Sequence, residues 1–341
     1  MIVLDEAQAI KNATTKRFQA AIQLNGNFKL ALSGTPIENG LDELWSLFRF
    51  IAPGLLGSKE SFQKKFMTPL DKEKDQARRQ ALKNLIKAFI LRRTKTNVLQ
   101  ELPPKTEQTI HIDMEPEEKA FYEAVRQTAI DNITNNDQKG GQRKIHILAE
   151  ITRLRRACCH PKLVDNNIDI PSSKLKVFLE LVDELLQNNH KALIFSQYVS
   201  YLDLVRAELD KKGIDYQYLD GSTAAAERQK RVNAFQEGKS SLFLLSLKAG
   251  GAGLNLTAAD YVIHMDPWWN PAVEDQASDR AHRMGQQRPV TIYRLVMKDS
   301  IEERILALHK DKRDLADDLL DGSQHVTKLT EDDLIKLMMA A

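Results

Sequence analysis

The stretch SLFLLSLKAGGAGLNLTAADYVIHMD, residues 241–266, contains the pattern that decides the fold. Two short aliphatic and β-branched runs enclose a glycine-rich segment, and each run predicts a buried strand of a parallel sheet. Strands that alternate with helices form parallel sheets covered by helices, so the fold class is α/β. The predicted strands lie at 192–196, 216–220, 241–246, 261–266 and 290–296, and the predicted helices at 173–188, 200–212, 224–237, 271–284 and 300–320.

The first hundred residues carry a second, shorter pattern of the same kind. The run IVL at 2–4 leads into two carboxylates, and the run FKLAL at 28–32 opens into SGTP. Apolar residues at helical spacing predict a helix at 39–51. A further helix is expected over 59–99, and it is strongly basic between residues 78 and 95.

The sequence LPPK at 102–105 predicts a rigid extended break, and we expect a domain boundary there. Beyond it, helices are expected at 115–130 and 143–157, joined by a polar loop at 131–142. The expected organisation is a first α/β domain at 1–104, a helical linker or protrusion at 105–172, a second α/β domain at 173–322 and a C-terminal tail at 323–341.

Composition excludes several classes of protein. The chain has 341 residues, enough for about two domains. Its 42% hydrophobic and 28% charged residues argue against a disordered chain, and no apolar run suits a membrane span. The net charge of +2 implies no partner by itself. Cys158 and Cys159 are adjacent, which indicates neither a disulfide framework nor a zinc site, so we expect a packed helix end and a cytoplasmic location.

Six blocks occur in a fixed order and cover most of the chain. They are DEAQAIKN (5–12), SGTPIENGLDELWSLFRFI (33–51), LRRTKTNVLQELPPK (91–105), LRRACCHPKL (154–163), FSQY (195–198) with LDGST (219–223), and LLSLKAGGAGLNLTAADYVIHMDPWWNPAVEDQASDRAHRMGQ (244–286). Together they resemble the Swi/Snf family of ATP-driven DNA translocases, within helicase superfamily two. The resemblance implies two RecA-like lobes with parallel sheets, helical insertions between them, an ATP cleft and a DNA path across both lobes.

The resemblance assigns the ATP chemistry to specific residues. It implies that Asp5 holds Mg²⁺ and that Glu6 acts on the attacking water, roles that carboxylates at a strand end suit. A solvated acidic turn is the alternative. It also implies that Ser33 and Thr35 sense the γ-phosphate, the alternative being an ordinary turn with a helix cap.

In the second lobe, the resemblance implies that Arg280 and Arg283 stabilise the transferring phosphoryl group, one of them as an arginine finger. Their spacing of three places them on one face of the predicted helix, where a salt-bridged surface helix is the alternative. Gln276 lies on the same side and is expected to hydrogen-bond nearby. Gly251 and Gly253 would let the backbone approach nucleotide or DNA phosphates.

The expected partner is double-stranded DNA, bound through its phosphates and therefore without sequence preference and with strong salt dependence. The basic segments 78–95 and 143–156 fit helical protrusions near DNA or solvated helix faces equally well. Trp268 and Trp269 are expected to anchor a loop against the core. By resemblance, the loops that contact DNA contain Ser196, Gln197, Gly221, Ser222, Ser246, Lys248 and Asn255.

The phosphate-binding pattern G-x-x-x-x-G-K-S/T does not occur in these 341 residues. Gly238-Lys239-Ser240 is a decoy, because it runs from a predicted helix into a strand. The resemblance places the true loop upstream, so we expect a missing N-terminal segment or partner chain, an incomplete first lobe with apolar sheet faces exposed, and no activity from this chain alone.

The expected function is an ATP-dependent double-stranded DNA translocase that remodels protein–DNA complexes at the nucleoid. RNA polymerase or another DNA-bound protein is the candidate target. The alternative is a non-catalytic module that binds DNA or assembles with a partner.

Overall fold

The computed structural model describes residues 1–34, 41–68, 75–93, 95, 99, 101–135, 141–250, 253–308 and 331–339. These residues form two compact units. The first lies within residues 1–93, and the second comprises the described residues from 95 onward.

The first unit contains a two-stranded parallel sheet, in which β1 (Ile2–Leu4) pairs with β2 (Lys29–Ala31). The helix expected over 59–99 is replaced by separate helices, because Asp75 caps a new one by accepting a hydrogen bond from Arg78 N at 3.0 Å. The elements besides the strands are a 3₁₀ turn (Ala7–Ile10), α1 (Lys16–Gln23), α2 (Leu41–Ile51), α3 (Lys59–Phe62) with a π-helical turn (Gln63–Met67), and α4 (Gln76–Lys87).

The core of the first unit lies on one side of its sheet. The helix α2 is buried on most of its surface and supplies Leu44, Phe48 and Phe50, each at most 2% exposed. On the other side of the sheet, Val3 and Leu30 face each other across the strand pair and are 42% and 39% exposed. The apolar sheet face expected for this unit is therefore present.

The second unit is built on a six-stranded sheet whose neighbouring strands are all parallel. The strands are β3 (Lys105–Ile112), β4 (Ala192–Ser196), β5 (Tyr216–Leu219), β6 (Leu242–Ser246), β7 (Tyr261–His264) and β8 (Val290–Met297), and their order in the sheet is β3-β8-β7-β4-β6-β5. All side chains of β4 and β6 are buried, which explains their continuous apolar sequences.

The edge strand β3 was not predicted from the sequence. It pairs with β8 over its whole length, from Lys105 opposite Val290 to Ile112 opposite Met297. Its sequence, KTEQTIHI, is mostly polar because its side chains are mostly exposed at the sheet edge. Residues 105–172, expected as a helical linker, thus also contribute a strand to the second sheet.

Helices cover both faces of this sheet. Phe178, Tyr201 and Ile194 lie in one fully buried cluster, and Phe235 and Phe243 lie in another. No helix in the described part of the chain is long and apolar enough to cross a membrane. The helices are α5 (Pro116–Thr134), α6 (Gly141–Cys159), a 3₁₀ turn (Pro161–Leu163), α7 (Ser173–Gln187), α8 (Val199–Lys211), α9 (Ala225–Gln236), α10 (Leu247–Gly250), α11 (Pro271–Ser278), the segment 301–308 and α12 (Glu331–Met339).

Part of the expected C-terminal tail is the helix α12, which packs into the second unit. Leu334 and Met338 are at most 2% exposed and join the cluster formed by α5 and α6. Two arginines hold its carboxyl end, because Arg126 Nη1 donates to Met338 O at 3.2 Å and Arg304 Nη1 donates to Leu337 O at 2.6 Å. Cations at a helix C-terminus satisfy carbonyls that have no partner within the helix.

The adjacent cysteines end α6 inside the core. Cys158 and Cys159 are fully buried, and burial raises the pKa of both thiols well above the ordinary value. The expectation of a packed helix end is therefore confirmed. Thiols held in the protonated form this way are poor nucleophiles.

His160, which follows the cysteines, gives the second unit a pH-dependent stability. Its Nδ1 accepts a hydrogen bond from Lys162 N at 3.1 Å, which only the neutral ring can do. Burial, with help from Lys162, lowers the pKa of His160 to about 4 from its ordinary 6.5.

Between these two values the unfolded chain binds a proton that the folded chain does not, so folding stability is expected to fall as the pH drops from 6.5 towards about 4. His160→Asn keeps a side-chain acceptor at this cap and does not titrate. Urea unfolding midpoints measured across this range should therefore slope for the wild type and be flatter for H160N. Equal slopes would contradict this role of His160.

Candidate functional site

The carboxyl ends of β1 and β2 lie side by side because the two strands are parallel. Leu32 N donates to Leu4 O at 2.8 Å, and Ala7 N donates to Leu32 O at 2.8 Å. The segments that follow the two strands are therefore hydrogen-bonded neighbours. This edge of an open α/β sheet is where ligands bind.

At this edge, Gln8 connects the predicted acidic pair with Ser33. Ser33 Oγ donates to Gln8 Oε1 at 3.0 Å, and Gln8 Nε2 donates to Glu6 Oε2. A carboxamide can accept at one end and donate at the other, so Gln8 joins the Ser33 hydroxyl to the Glu6 carboxylate. Gln8 is not among the site residues predicted from the sequence. The available signal was its position two residues after Glu6, within the block that contains the carboxylates.

The backbone at Glu6 is unusual. Its φ and ψ are both 49°, in the left-handed region that residues other than glycine rarely adopt. The neighbouring Asp5 accepts a hydrogen bond from Glu6 N through Oδ1 at 2.9 Å. Strained backbone of this kind concentrates at functional sites.

The donor set at this edge fits Mg²⁺ held jointly with a nucleotide. Mg²⁺ in phosphoryl-transfer sites takes one or two carboxylates and completes its shell with phosphate oxygens and water. Asp5 and Glu6 are both exposed, so their oxygens are accessible. No cluster of three His, Cys, Asp or Glu side chains within the described residues is arranged to hold a metal ion by itself. Thr35, expected beside Ser33, lies outside the described residues.

In the second unit, Asp266 fixes the turn after β4. Ser196 Oγ donates to Asp266 Oδ1, Gln197 N donates to Asp266 Oδ2 at 3.3 Å, and Tyr198 N donates to Ser196 Oγ at 3.1 Å. Burial raises the pKa of Asp266 above its ordinary value, while the Arg155 guanidinium opposes that rise. Because Ser196 is 1% exposed, its side chain shapes this turn and is not available to DNA in this structure, contrary to the expectation. Gln197 is half-buried.

The turn after β5 holds the next two expected DNA contacts, Gly221 and Ser222, both of which are exposed. Asp220 organises this turn by accepting from Ser222 N at 2.9 Å and from Ser222 Oγ at 2.7 Å. These hydrogen bonds lower the pKa of Asp220 to about 2, so it remains ionised at neutral pH.

The loop after β6 contains buried and exposed candidates. Ser246 is 5% exposed and accepts from Ala249 N at 3.4 Å, so its side chain starts α10 and does not face solvent. Lys248, Gly253 and Asn255 are exposed. Gly253 has a φ of +59°, which glycine adopts without strain. Gly251 lies outside the described residues.

The helix expected over 271–284 ends at Ser278, so the expectation that Arg280 and Arg283 share a helix face is wrong. Both lie in the turns that follow. The chain leaves the helix because Arg280 O accepts from Leu256 N at 3.0 Å, and Gly285 then takes a φ of +97°. Arg280 is 7% exposed, whereas Arg283 is exposed.

Two side chains that were not predicted from the sequence hold these turns. Gln286 Nε2 lies between three carbonyls, with Ala259 O at 2.7 Å the nearest. Lys95 Nζ lies 2.6 Å from Asp279 Oδ1 and donates to His282 O at 3.0 Å. These contacts fix the main chain on both sides of Arg280. Gln276, the remaining candidate of this segment, is half-buried on α11.

Comparisons with known proteins match both halves of the chain. A family model described as the SNF2-related domain matches residues 1–163, and one described as the helicase conserved C-terminal domain matches residues 173–285. A Bacillus subtilis protein named as an ATP-dependent helicase/translocase is 41% identical over 98% of this chain and 37% of its own length. A human SWI/SNF-related regulator of chromatin, subfamily A member 1, is 36% identical over 89% of this chain and 30% of its own length.

This chain therefore spans about a third of the length of the curated relatives it matches. Among solved structures, the Sulfolobus solfataricus SWI2/SNF2 ATPase core in complex with double-stranded DNA matches with a TM-score of 0.58 and 37% sequence identity. That match covers 99% of this chain and 72% of the other chain. The same core domain solved as a separate structure matches with a TM-score of 0.58 and 36% identity.

Proposed function

The chain belongs to the SWI2/SNF2 family of ATP-dependent helicases and translocases, and from that premise we propose that it couples ATP hydrolysis to movement along double-stranded DNA. The observation that carries this proposal is the hydrogen-bonded series from Glu6 through Gln8 to Ser33. It joins a carboxylate suited to positioning water with a hydroxyl on the neighbouring strand end.

In the proposed reaction, Glu6 orients the water that attacks the γ-phosphate of ATP. Asp5 would hold Mg²⁺ together with the phosphates, and the ion would offset part of the phosphate charge. Ser33 lies one hydrogen bond from Gln8 and two from Glu6, so a shift of Ser33 changes the orientation of Glu6. This geometry allows the presence of the γ-phosphate to be communicated between two strand ends.

The proposed DNA contacts come from the half-buried Gln197 and from exposed groups of the second unit, namely Gly221, Ser222, Lys248, Gly253 and Asn255. Side-chain and backbone donors at loop ends bind phosphates without reading bases. The similar Sulfolobus core was solved with double-stranded DNA, which supports this class of partner. We expect action at the nucleoid, with RNA polymerase or another DNA-bound protein as the target.

The test is ATP hydrolysis with and without double-stranded DNA, comparing the wild type with Glu6→Gln. These 341 residues contain no G-x-x-x-x-G-K-S/T loop, so turnover is expected only where a segment or partner supplies one. With that loop present, E6Q should lower DNA-stimulated turnover by about 10²–10⁴-fold, the usual contribution of a general base, and leave DNA affinity unchanged.

Glu60→Gln is the matched control, because Glu60 is an exposed carboxylate of the same unit, on α3. It should leave turnover and DNA affinity at the wild-type level. DNA binding without any Glu6-dependent turnover, in a form that contains the phosphate loop, would instead support the non-catalytic DNA-binding or assembly module.

A further inference from the structure

The helix α6 places one buried arginine beneath two loops of the second unit. Arg155 is 2% exposed, although the adjacent Arg156 is exposed. Its Nη1 donates to Gln197 Oε1 at 3.1 Å, and its Nη2 donates to Pro267 O. The two acceptors follow β4 and β7, which are neighbouring strands. One guanidinium therefore holds the ends of two strands together.

Aromatic rings enclose the same guanidinium. Its carbon lies 5.4 Å from the ring centre of Trp269, 5.7 Å from that of Trp268 and 5.8 Å from that of Tyr198. Cations over aromatic faces are attracted by the ring quadrupole, most strongly where water is excluded. Trp268 and Trp269 are half-buried and pack against different core clusters, as expected for loop anchors. Arg155 thus fixes the position of both indoles.

The arginine also decides which way the Gln197 carboxamide faces. A guanidinium has donors only, so Gln197 must turn its oxygen towards Arg155. Its Nε2 is then directed away from the guanidinium as a donor. This nitrogen is buried and has no hydrogen-bond partner among the described residues, and a buried donor left without an acceptor is costly. A donor held in one orientation suits a phosphate oxygen, which is an acceptor.

The far side of the 266–269 segment is anchored separately. Trp268 N donates to Glu274 Oε1 at 2.7 Å, and Arg294 Nε donates to Glu274 Oε2 at 2.8 Å. The Arg294 guanidinium also reaches Glu107 of the edge strand, at 2.8 Å. On the side of Gln197, Arg155 donates to Pro267 O, and Asp266 accepts from Gln197 N.

We propose that Arg155 is a positioning residue for DNA binding, which orients Gln197 and the 266–269 segment without touching DNA itself. The inference rests on the proposed function, because it assumes that the turn after β4 contacts DNA. A lysine cannot replace this residue fully, since an ammonium lacks the planar fork that spans both acceptors.

The test is the affinity of this chain for a fluorescently labelled double-stranded DNA, measured by anisotropy at several salt concentrations. Arg155→Gln is expected to weaken binding about tenfold, the usual value of a hydrogen bond to a charged group. The slope of log Kd against log salt should stay unchanged, because Arg155 contacts no phosphate. Lys248→Ala, which removes a proposed phosphate contact, should instead reduce that slope by about 1.

A double-mutant cycle separates positioning from general stabilisation. If Arg155 acts in part through Gln197, then R155Q combined with Gln197→Ala should weaken binding by less than the sum of the two single effects. Arg155→Lys should bind DNA more tightly than R155Q and less tightly than the wild type. Arg126→Gln is the matched control. Arg126 also donates to a main-chain carbonyl in this unit, but it joins α5 to α12 and is not part of the loops discussed above. It should leave DNA affinity unchanged.

The effect of Arg155 on the 266–269 segment can also be measured in the protein without DNA, by tryptophan fluorescence. In a Trp45→Phe background the remaining tryptophans are Trp268 and Trp269. Acrylamide quenching of their emission should increase in R155Q, partly return in R155K and remain at the wild-type level in R126Q. Unchanged quenching in R155Q would overturn the claim that Arg155 orders this segment.

The outcomes distinguish the two proposals. A wild type that shows no salt-dependent binding to DNA contradicts the proposed function and the DNA role of Arg155, while the quenching experiment still decides whether Arg155 orders the loops. A wild type that binds DNA together with an R155Q variant that binds equally well overturns this inference alone. Additive effects of R155Q and Q197A would also overturn it.

Discussion

Replacing Arg283 by alanine is expected to lower DNA-stimulated ATP hydrolysis by about 10³–10⁵-fold, the range that arginine fingers supply. The measurement is steady-state turnover with saturating double-stranded DNA, in a form of the protein that hydrolyses ATP. DNA affinity should remain near the wild-type value, because the proposed DNA contacts lie in other loops. The expected loss reflects the negative charge that develops on the transferring phosphoryl group and that only a cation can offset.

The structure separates Arg283 from Arg280, which the sequence treats as equivalent. Arg283 is exposed, so its guanidinium can meet a ligand without rearrangement of the turn. Arg280 is 7% exposed, and its carbonyl accepts from Leu256 N at 3.0 Å. Arg280→Ala is therefore expected to reduce both turnover and the stability of the second unit, whereas Arg283→Ala should reduce turnover alone.

The matched control is Arg288→Ala, because Arg288 is also exposed, follows in the same segment and pairs with Asp260 at 3.3 Å. It should leave turnover within a few-fold of the wild type. Arg283→Lys keeps the charge and loses the planar fork, so it should fall between wild type and alanine. Near-normal turnover in R283A would assign the transition-state role elsewhere, with Arg280 as the next candidate.

The central strands of the second sheet could be predicted because they are apolar and buried. A run such as LFLLS has no polar face, and this is typical of a central strand with helices on both sides. The edge strand β3 could not be predicted in the same way. Its residues are mostly exposed, so its sequence does not show the apolar run that marks the central strands β4 and β6.

Some residues of the candidate site could be predicted from the sequence and others could not. Motifs identified Asp5, Glu6 and Ser33, because carboxylates and hydroxyls at strand ends are visible in sequence. Gln8 and Arg155 were missed as site residues because their importance lies in contacts with residues distant in sequence, such as Arg155 with Gln197. The end of α11 at Ser278 was missed for the same reason. Just beyond the helix, the carbonyl of Arg280 accepts a hydrogen bond from Leu256 N, which belongs to a different loop.

The buried ion pair between Lys174 and Glu302 leads to the largest expected effect on stability. Lys174 is in the first turn of α7, and Glu302 is in the segment that follows β8. Both carboxylate oxygens lie 2.6 Å from Nζ, and the side chains are 0% and 1% exposed. Burial lowers the pKa of Lys174, but the opposing contributions, led by the Glu302 carboxylate, together raise it above its ordinary value, so the amine remains charged.

Lys174→Met is expected to destabilise the second unit by about 3–5 kcal/mol, because it leaves a buried carboxylate without its partner. Urea unfolding followed by the emission of Trp268 and Trp269, in the Trp45→Phe background, measures this loss. Lys212→Met is the control, since Lys212 pairs with Asp183 at the surface, where both side chains are more than a third exposed. Removing that pair should cost about 1 kcal/mol or less.

A second substitution tests whether K174M is destabilising because it leaves the buried Glu302 charge without a partner. Glu302 Oε2 also accepts from Met297 N at 3.0 Å, and glutamine can keep this bond through its own oxygen. K174M combined with Glu302→Gln should therefore recover most of the stability that K174M loses, because no charge is left buried. If the double variant were as unstable as K174M, the loss would come from packing around the lysine stem, and Glu302 would not be the cause.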